Sequence, residues 1–251
     1  ASGLRPCATR SSRCDVQYLG GKWRAGAEYA KRIAPQGAWW EPFCGALNVS
    51  MHLAVFPQLG LVSDVNSELV DLFLAVREGW EPPTEVSREQ WQEAKASTVS
   101  SFLRTFIGFG CSSSGVWFGS YAKPGTYTYP SSGQTQTRNY AAQFAKALKL
   151  QVQATAHCDL RAMSFFDLEP QLGLFEVIYC DPPYDSTMGY REPFKTRDFW
   201  NRCVEWAATG TRVIVSEYVC PVPAFCLWQR ERKSQLGKRT VRVEGLFQVL
   251  G

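Results

Sequence analysis

The sequence predicts an α/β fold: a mostly parallel sheet with a partly helical module inserted into it. Three observations carry that prediction. Strand, loop and helix follow one another twice between Gly37 and Val76. The apolar run Val177, Ile178 and Tyr179 reads as a strand covered on both faces. Between them the pattern breaks, from about Gly79 to Tyr140, and then resumes. Successive strand and helix units need right-handed crossovers, hence parallel strands.

The elements follow in order. Residues 1 to 14, rich in Ser, Arg and Ala, are expected to form a flexible tail. Gly20 and Gly21 permit a turn, and Trp23 to Ile33 has apolar residues at helical spacing before Pro35 stops it. Trp39 and Trp40 end a first strand, Glu41 to Gly45 form a loop, and Leu47 to Phe56 are expected to be a helix closed near Pro57. Leu61 to Ser63 make a second strand with Asp64 at its tip. Asn66 or Ser67 caps a helix with Leu69, Val70, Phe73 and Val76 on its apolar face. Residues 79 to 138 then carry a helical stretch around Trp91 to Phe106 and a Gly-, Ser- and Tyr-rich segment, which suits an irregular binding module. After it come a helix from Asn139 to Leu150, a strand from Leu174 to Tyr179, a helix ending at Gly210, the buried strand "TRVIVSEY" and a final edge strand or hairpin arm, "KRTVRVEGLFQVL". Residues 15 to 78 and 139 to 251 thus form the α/β domain.

Composition bounds the function. With 45% hydrophobic and 20% charged residues among 251, the chain is an ordinary globular protein with material for a sizeable core. Bases exceed acids by 27 to 23, so a polyanion would not be repelled. Between Gln229 and Glu244 six bases stand against two acids, a local excess equal to the whole net charge of +4. A basic patch and a solvated hairpin are both open readings there. Nine cysteines without a CxxC pair argue against a zinc site and for reduced thiols filling a core, as in a cytoplasmic protein. No apolar run approaches the roughly 18 residues of a membrane span.

Chemistry concentrates at three strand ends. After Cys180 the chain reads Asp181, Pro182, Pro183, Tyr184. Proline lacks a donor and restricts its predecessor, so this loop leaves the sheet rigid and polar at a carboxyl end, where open α/β sheets bind ligands. "EPFCG", Glu41 to Gly45, lacks the GxGxxG of a pyrophosphate cradle. A glycine-bearing loop of this kind suits a small carboxylate, and Asp64 stands where an acid takes ribose hydroxyls. Together they describe a site for a nucleoside joined to an amino acid, S-adenosylmethionine.

"DPPY" preceded by "EPFCG", with "YLGGK" near the N-terminus and "SDVN" between, resembles the Dam-like, D12-class DNA adenine N6-methyltransferases over residues 16 to 78 and 139 to 219. The resemblance implies a Rossmann-like S-adenosylmethionine-dependent methyltransferase sheet with an inserted DNA-recognition module. It implies cofactor contacts from Tyr18, Lys22, Glu41, Pro42, Phe43, Gly45, Asp64 and Asp181, and a catalytic loop of Asp181, Pro182, Pro183 and Tyr184. An acid before the catalytic strand would contact the cofactor's adenine; Asp159 is preferred to Asp167. The partner implied is double-stranded DNA, with no metal. The inserted segment "GFGCSSSGVWFGSYAKPG" departs from the Dam pattern, so a different or looser target sequence is expected, as in phage-borne members. The aromatic residues from Trp117 to Tyr129 either stack on bases or pack the module. Cys180, last in its strand, is expected to be buried filler. Relatives of "DPPY" also serve enzymes acting on cytosine N4 or RNA, and a silent DNA-binding protein is the reading from another class.

Overall fold

The computed structural model describes residue 22 and residues 25–128, 133–183, 194–233 and 241–251. Nine strands fall into a seven-stranded sheet and a two-stranded ribbon among these residues. In chain order the elements are α1 (Gly26–Ile33), β1 (Trp39–Glu41), α2 (Ser50–Leu53), β2 (Gly60–Asp64), α3 (Ser67–Arg77), α4 (Arg88–Ala96), α5 (Phe102–Gly110), β3 (Gly125–Thr128), β4 (Thr135–Arg138), α6 (Tyr140–Ala154), β5 (Asp159–Ala162), β6 (Val177–Cys180), α7 (Thr196–Ala208), β7 (Arg212–Glu217), β8 (Ala224–Lys233) and β9 (Val241–Val249).

The large sheet runs β5-β2-β1-β6-β7-β9-β8. Its first five strands are parallel, and β9 and β8 close it as an antiparallel hairpin. "KRTVRVEGLFQVL" therefore supplies the inner arm of that hairpin, and β8 is the edge. From β1 the chain steps outward to β2 and β5, then returns to lay β6 on the other side of β1. The order reverses between β1 and β6, and such a switch point opens a crevice at the strands' carboxyl ends.

Alternation along the strands gives the sheet two cores. Trp39, Val177 and Tyr179 face the layer holding α1, α2, α3 and α6. Trp40, Ile178 and Cys180 face Phe199, Cys203 and Trp206 of α7. Trp40 is fixed in this second core by its indole N–H, which donates to Ser63 Oγ at 3.0 Å.

Two helical expectations are corrected. The helix expected over residues 47 to 56 shrinks to the single turn α2. Gly45 and Leu47 adopt left-handed backbone (φ 46° and 57°), so the chain turns back before it can wind. The stretch around Trp91 to Phe106 is two helices. Ser101 Oγ accepts from the Arg104 amide and starts α5, while Ser97 closes α4 in an extended conformation. The inserted segment packs on the α/β part: Trp91, Phe106, Ile107 and Phe118 share one apolar cluster with Leu72 and Phe73 of α3 and Phe144 of α6.

Candidate active site

Glu41 ends β1 at the switch point and is buried. Ser50 Oγ, brought back by the turn at Gly45 and Leu47, donates to its Oε2 at 2.5 Å. Burial pushes the Glu41 carboxyl well above the ordinary carboxylate range. The negative charges of Asp181 and Asp64 add to the rise; Ser50 and Lys22 oppose it. Asp64, at the tip of β2, ties the loop down: its Oδ2 accepts the Gly45 N–H and its Oδ1 the Asn66 N–H, both at 2.9 Å. Its carboxyl is also raised by burial, against the pull of those two amides. Pro42 is buried, and Phe43 packs among Phe165, Phe194 and Phe199 with ring centroids 5.7–5.9 Å away. Phe43 thus anchors the loop to the α7 face.

Asp181 leaves the end of β6, one strand over from Glu41. Its Oδ1 accepts from Lys22 Nζ at 2.6 Å and from Ser216 Oγ at 2.8 Å. Ser216 lies on β7, fully buried, within 3.1 Å of the Tyr179 hydroxyl. Lys22, 2% exposed, also pairs with Glu244 Oε1 at 3.0 Å. Glu244 comes from β9, whose antiparallel course brings its first half to the carboxyl edge of β7, with Gly245 opposite Glu217. Its Oε2 accepts from Tyr29 Oη at 2.8 Å and Arg230 Nε at 2.6 Å. Two cations and two carboxylates therefore alternate beneath the Asp181 loop. Burial, then the neighbouring Glu244 charge, pushes the Tyr29 phenol far above its usual value, so it stays a donor.

The structure brings Lys22, Glu41 to Gly45, Asp64 and Asp181 to Pro183 to one sheet edge. Pro182 is buried and Pro183 half-buried. Tyr18 and Tyr184 lie outside the described residues. Asp159 is not brought to the site. It opens β5 opposite Leu61, whereas Asp64 pairs with Ala162 at the far end of that strand. There it is half exposed and ion-paired with Arg161. Asp167 instead follows the carboxyl end of β5, where its Oδ2 accepts the Ser164 N–H at 2.8 Å. The Met163 amide just before it bonds the Asp64 carbonyl. Strand direction thus places Asp167, and not Asp159, on the side of the sheet edge where β2 ends.

Other sequence features resolve into packing. Cys180 is wholly buried against Cys203, and burial holds its thiol well above the ordinary range. Trp117 packs on Phe109 and Phe118, and Tyr121 donates to the Val86 carbonyl, so these rings hold the inserted segment together. Arg230, counted in the basic run, is committed to Glu244. Ser216, Tyr29 and Glu244 were not legible as site residues: none sits in a motif, and only the sheet order makes them neighbours. Among the described residues no helix is long and apolar enough to cross a membrane.

No family model and no curated protein matches the sequence. Among solved structures, precorrin-6y C5,15-methyltransferase from Geobacter metallireducens superposes with a TM-score of 0.38 at 7% identity, over 91% of this chain and 87% of that one. SMU.472, "a putative methyltransferase complexed with SAH", gives a TM-score of 0.35 at 13% identity, over 96% of this chain and 54% of its own. Likeness of that degree carries no functional argument, which rests on the site itself.

Proposed function

We propose that the protein transfers a methyl group from S-adenosylmethionine to the N6 amino group of adenine in DNA. The observation that carries this reading is the anchored Asp181 carboxylate, followed by two prolines, at the switch point beside the Glu41 to Gly45 loop and Asp64. The donor set fits the cofactor. Carboxyl groups at three adjacent strand ends suit a ligand that carries an ammonium, a sulfonium and ribose hydroxyls. The lone pairs of Asp64 not used by Gly45 and Asn66 would accept from the ribose, and Glu41 lies nearest the loop that would hold the amino-acid end. When bound, the cofactor supplies an electrophilic methyl group.

The rest of the chemistry belongs to the chain. An adenine amino group is a poor nucleophile because its lone pair is delocalised into the ring. Accepting its two N–H bonds at the Asp181 carboxylate and the Pro182 carbonyl draws the nitrogen toward tetrahedral geometry and fixes its line of approach. Pro182 and Pro183 keep that carbonyl from turning away. Lys22 and Ser216 hold the carboxylate in place, so little reorganisation accompanies the reaction. Tyr184 is assigned to stacking on the extruded base, a contact worth roughly 1–3 kcal/mol in comparable sites, against the few kcal/mol that base extrusion costs. The inserted segment and the C-terminal bases other than Arg230 are assigned to DNA, so binding should weaken with salt.

The test is acceptor class. Purified protein is incubated with methyl-labelled S-adenosylmethionine and, in parallel, unmethylated DNA, RNA and a protein mixture. Label in DNA that is lost in Asp181→Ala supports the proposal. Label only in RNA or protein would overturn the assignment to DNA, and cofactor binding without label in any acceptor would favour a silent binding protein.

A further inference from the structure

We propose that Glu244 is a positioning residue for this reaction: from the C-terminal hairpin it fixes the Lys22 ammonium, and through Lys22 the orientation of Asp181. The inference rests on the reading of Asp181 as the acceptor for the substrate amine. A carboxylate with no exposed surface must be fully partnered, and Glu244 is: Lys22 on Oε1, Tyr29 and Arg230 on Oε2. Arg230 alone would neutralise it. The pair with Lys22 does something further, because Lys22 Nζ lies 2.6 Å from Asp181 Oδ1 and 3.0 Å from Glu244 Oε1, suspended between the two. Its backbone is equally fixed, since the Lys22 carbonyl accepts the Ala25 and Gly26 amides that start α1. Glu244 thereby shares the ammonium with Asp181. Without that second anchor the Lys22 ammonium could shift along the Asp181 carboxylate and take lone pairs that the substrate amine needs.

Among the described residues, the charged and titratable groups that act on this chain of contacts include Tyr29 from α1, Arg230 from β8, Tyr179 from β6 and Glu41 from β1. None of them replaces the Glu244 link to Lys22.

The test uses the full-length protein with labelled S-adenosylmethionine and unmethylated DNA. Glu244→Gln should lower kcat about tenfold or more, with KM for cofactor and DNA within about threefold. In the Lys22→Met background the same change should add little, because both act along one chain. That double variant removes one charge of each sign and guards against a folding failure. Should Glu244→Gln not fold, Tyr29→Phe decides: it removes one hydrogen bond from Glu244 and keeps every charge, and should lower kcat by about two- to fivefold at unchanged KM. A readout independent of turnover is the slowly exchanging ammonium signal of Lys22 in nitrogen-15 NMR, identified by its loss in Lys22→Met. It should broaden or vanish in Glu244→Gln. Wild-type kcat in a folded Glu244→Gln, or effects that multiply in the double variant, would overturn the inference. Asp181→Ala serves as the control: if it retains full turnover, the reading of Asp181 itself fails, whereas an inactive Asp181→Ala beside a fully active Glu244→Gln refutes the role of Glu244 alone.

Discussion

Asp181→Asn isolates the charge of the residue on which the account turns. The amide has the carboxylate's shape but accepts at one atom only and presents an NH2 group where a substrate amine would donate. It also leaves Lys22 and Arg230 sharing the single carboxylate of Glu244. Breaking a buried pair costs about 3–5 kcal/mol. Here the Asp181 side chain is 18% exposed and Lys22 keeps Glu244, so a loss of about 2–3 kcal/mol is expected. For a chain of this size each kcal/mol moves the melting temperature by about 2–4 °C, which gives a fall of about 4–12 °C. Turnover should fall further than stability implies, by about 10²–10³ as for other preorganised electrostatic contacts. Thermal melting and single-turnover methyl transfer measure the two effects separately. An unchanged melting temperature would refute the ion pair, and lowered stability with normal turnover per folded molecule would refute the catalytic role.

Gly26→Ala should cost about 1–3 kcal/mol and weaken cofactor affinity, since its new Cβ would stand 2.0 Å from the Asn48 carbonyl oxygen and push α1 off the loop after β1; calorimetric titration and thermal melting check both. Glu41→Gln bears on pH. Because the folded-state pKa of Glu41 is raised, the folded protein holds a proton that the unfolded chain gives up, so Glu41 lowers stability as pH rises above its unfolded value. Glu41→Gln should therefore gain in melting temperature relative to wild type as pH goes from acid to neutral. A difference that does not change with pH would mean that Glu41 is ionised in the fold. Asp159→Ala should leave cofactor affinity unchanged, whereas Asp167→Ala should weaken it by releasing the Ser164 turn beside Asp64. The reverse order would restore the assignment of Asp159.

Much of this site was legible because its loops break the strand pattern where the strands end. Glu41 and Asp181 each end an apolar run and stand directly before a proline, which rules out continued strand, while Asp64 follows the short strand from Leu61 and is succeeded by the helix cap at Asn66. The α/β class was legible for the same reason. The place of Asp159 was hidden because polarity marks a strand boundary without saying which end it is; only pairing with β2 shows that it starts β5. The short α2 was hidden because Leu47, a good helix former, has left-handed backbone here and is buried in the core. Glu244 was hidden more deeply. In sequence it is one acid in a basic run, and its burial depends on β9 inserting between β7 and β8, a long-range choice that no local pattern encodes.

The central claim is tested most directly by the identity of the methylated nucleoside. Unmethylated DNA of mixed sequence is incubated with the protein and methyl-labelled S-adenosylmethionine, digested to nucleosides and resolved by mass spectrometry. The account predicts label in N6-methyladenine, absent with Asp181→Asn. Label in N4-methylcytosine alone, with no N6-methyladenine, would contradict it.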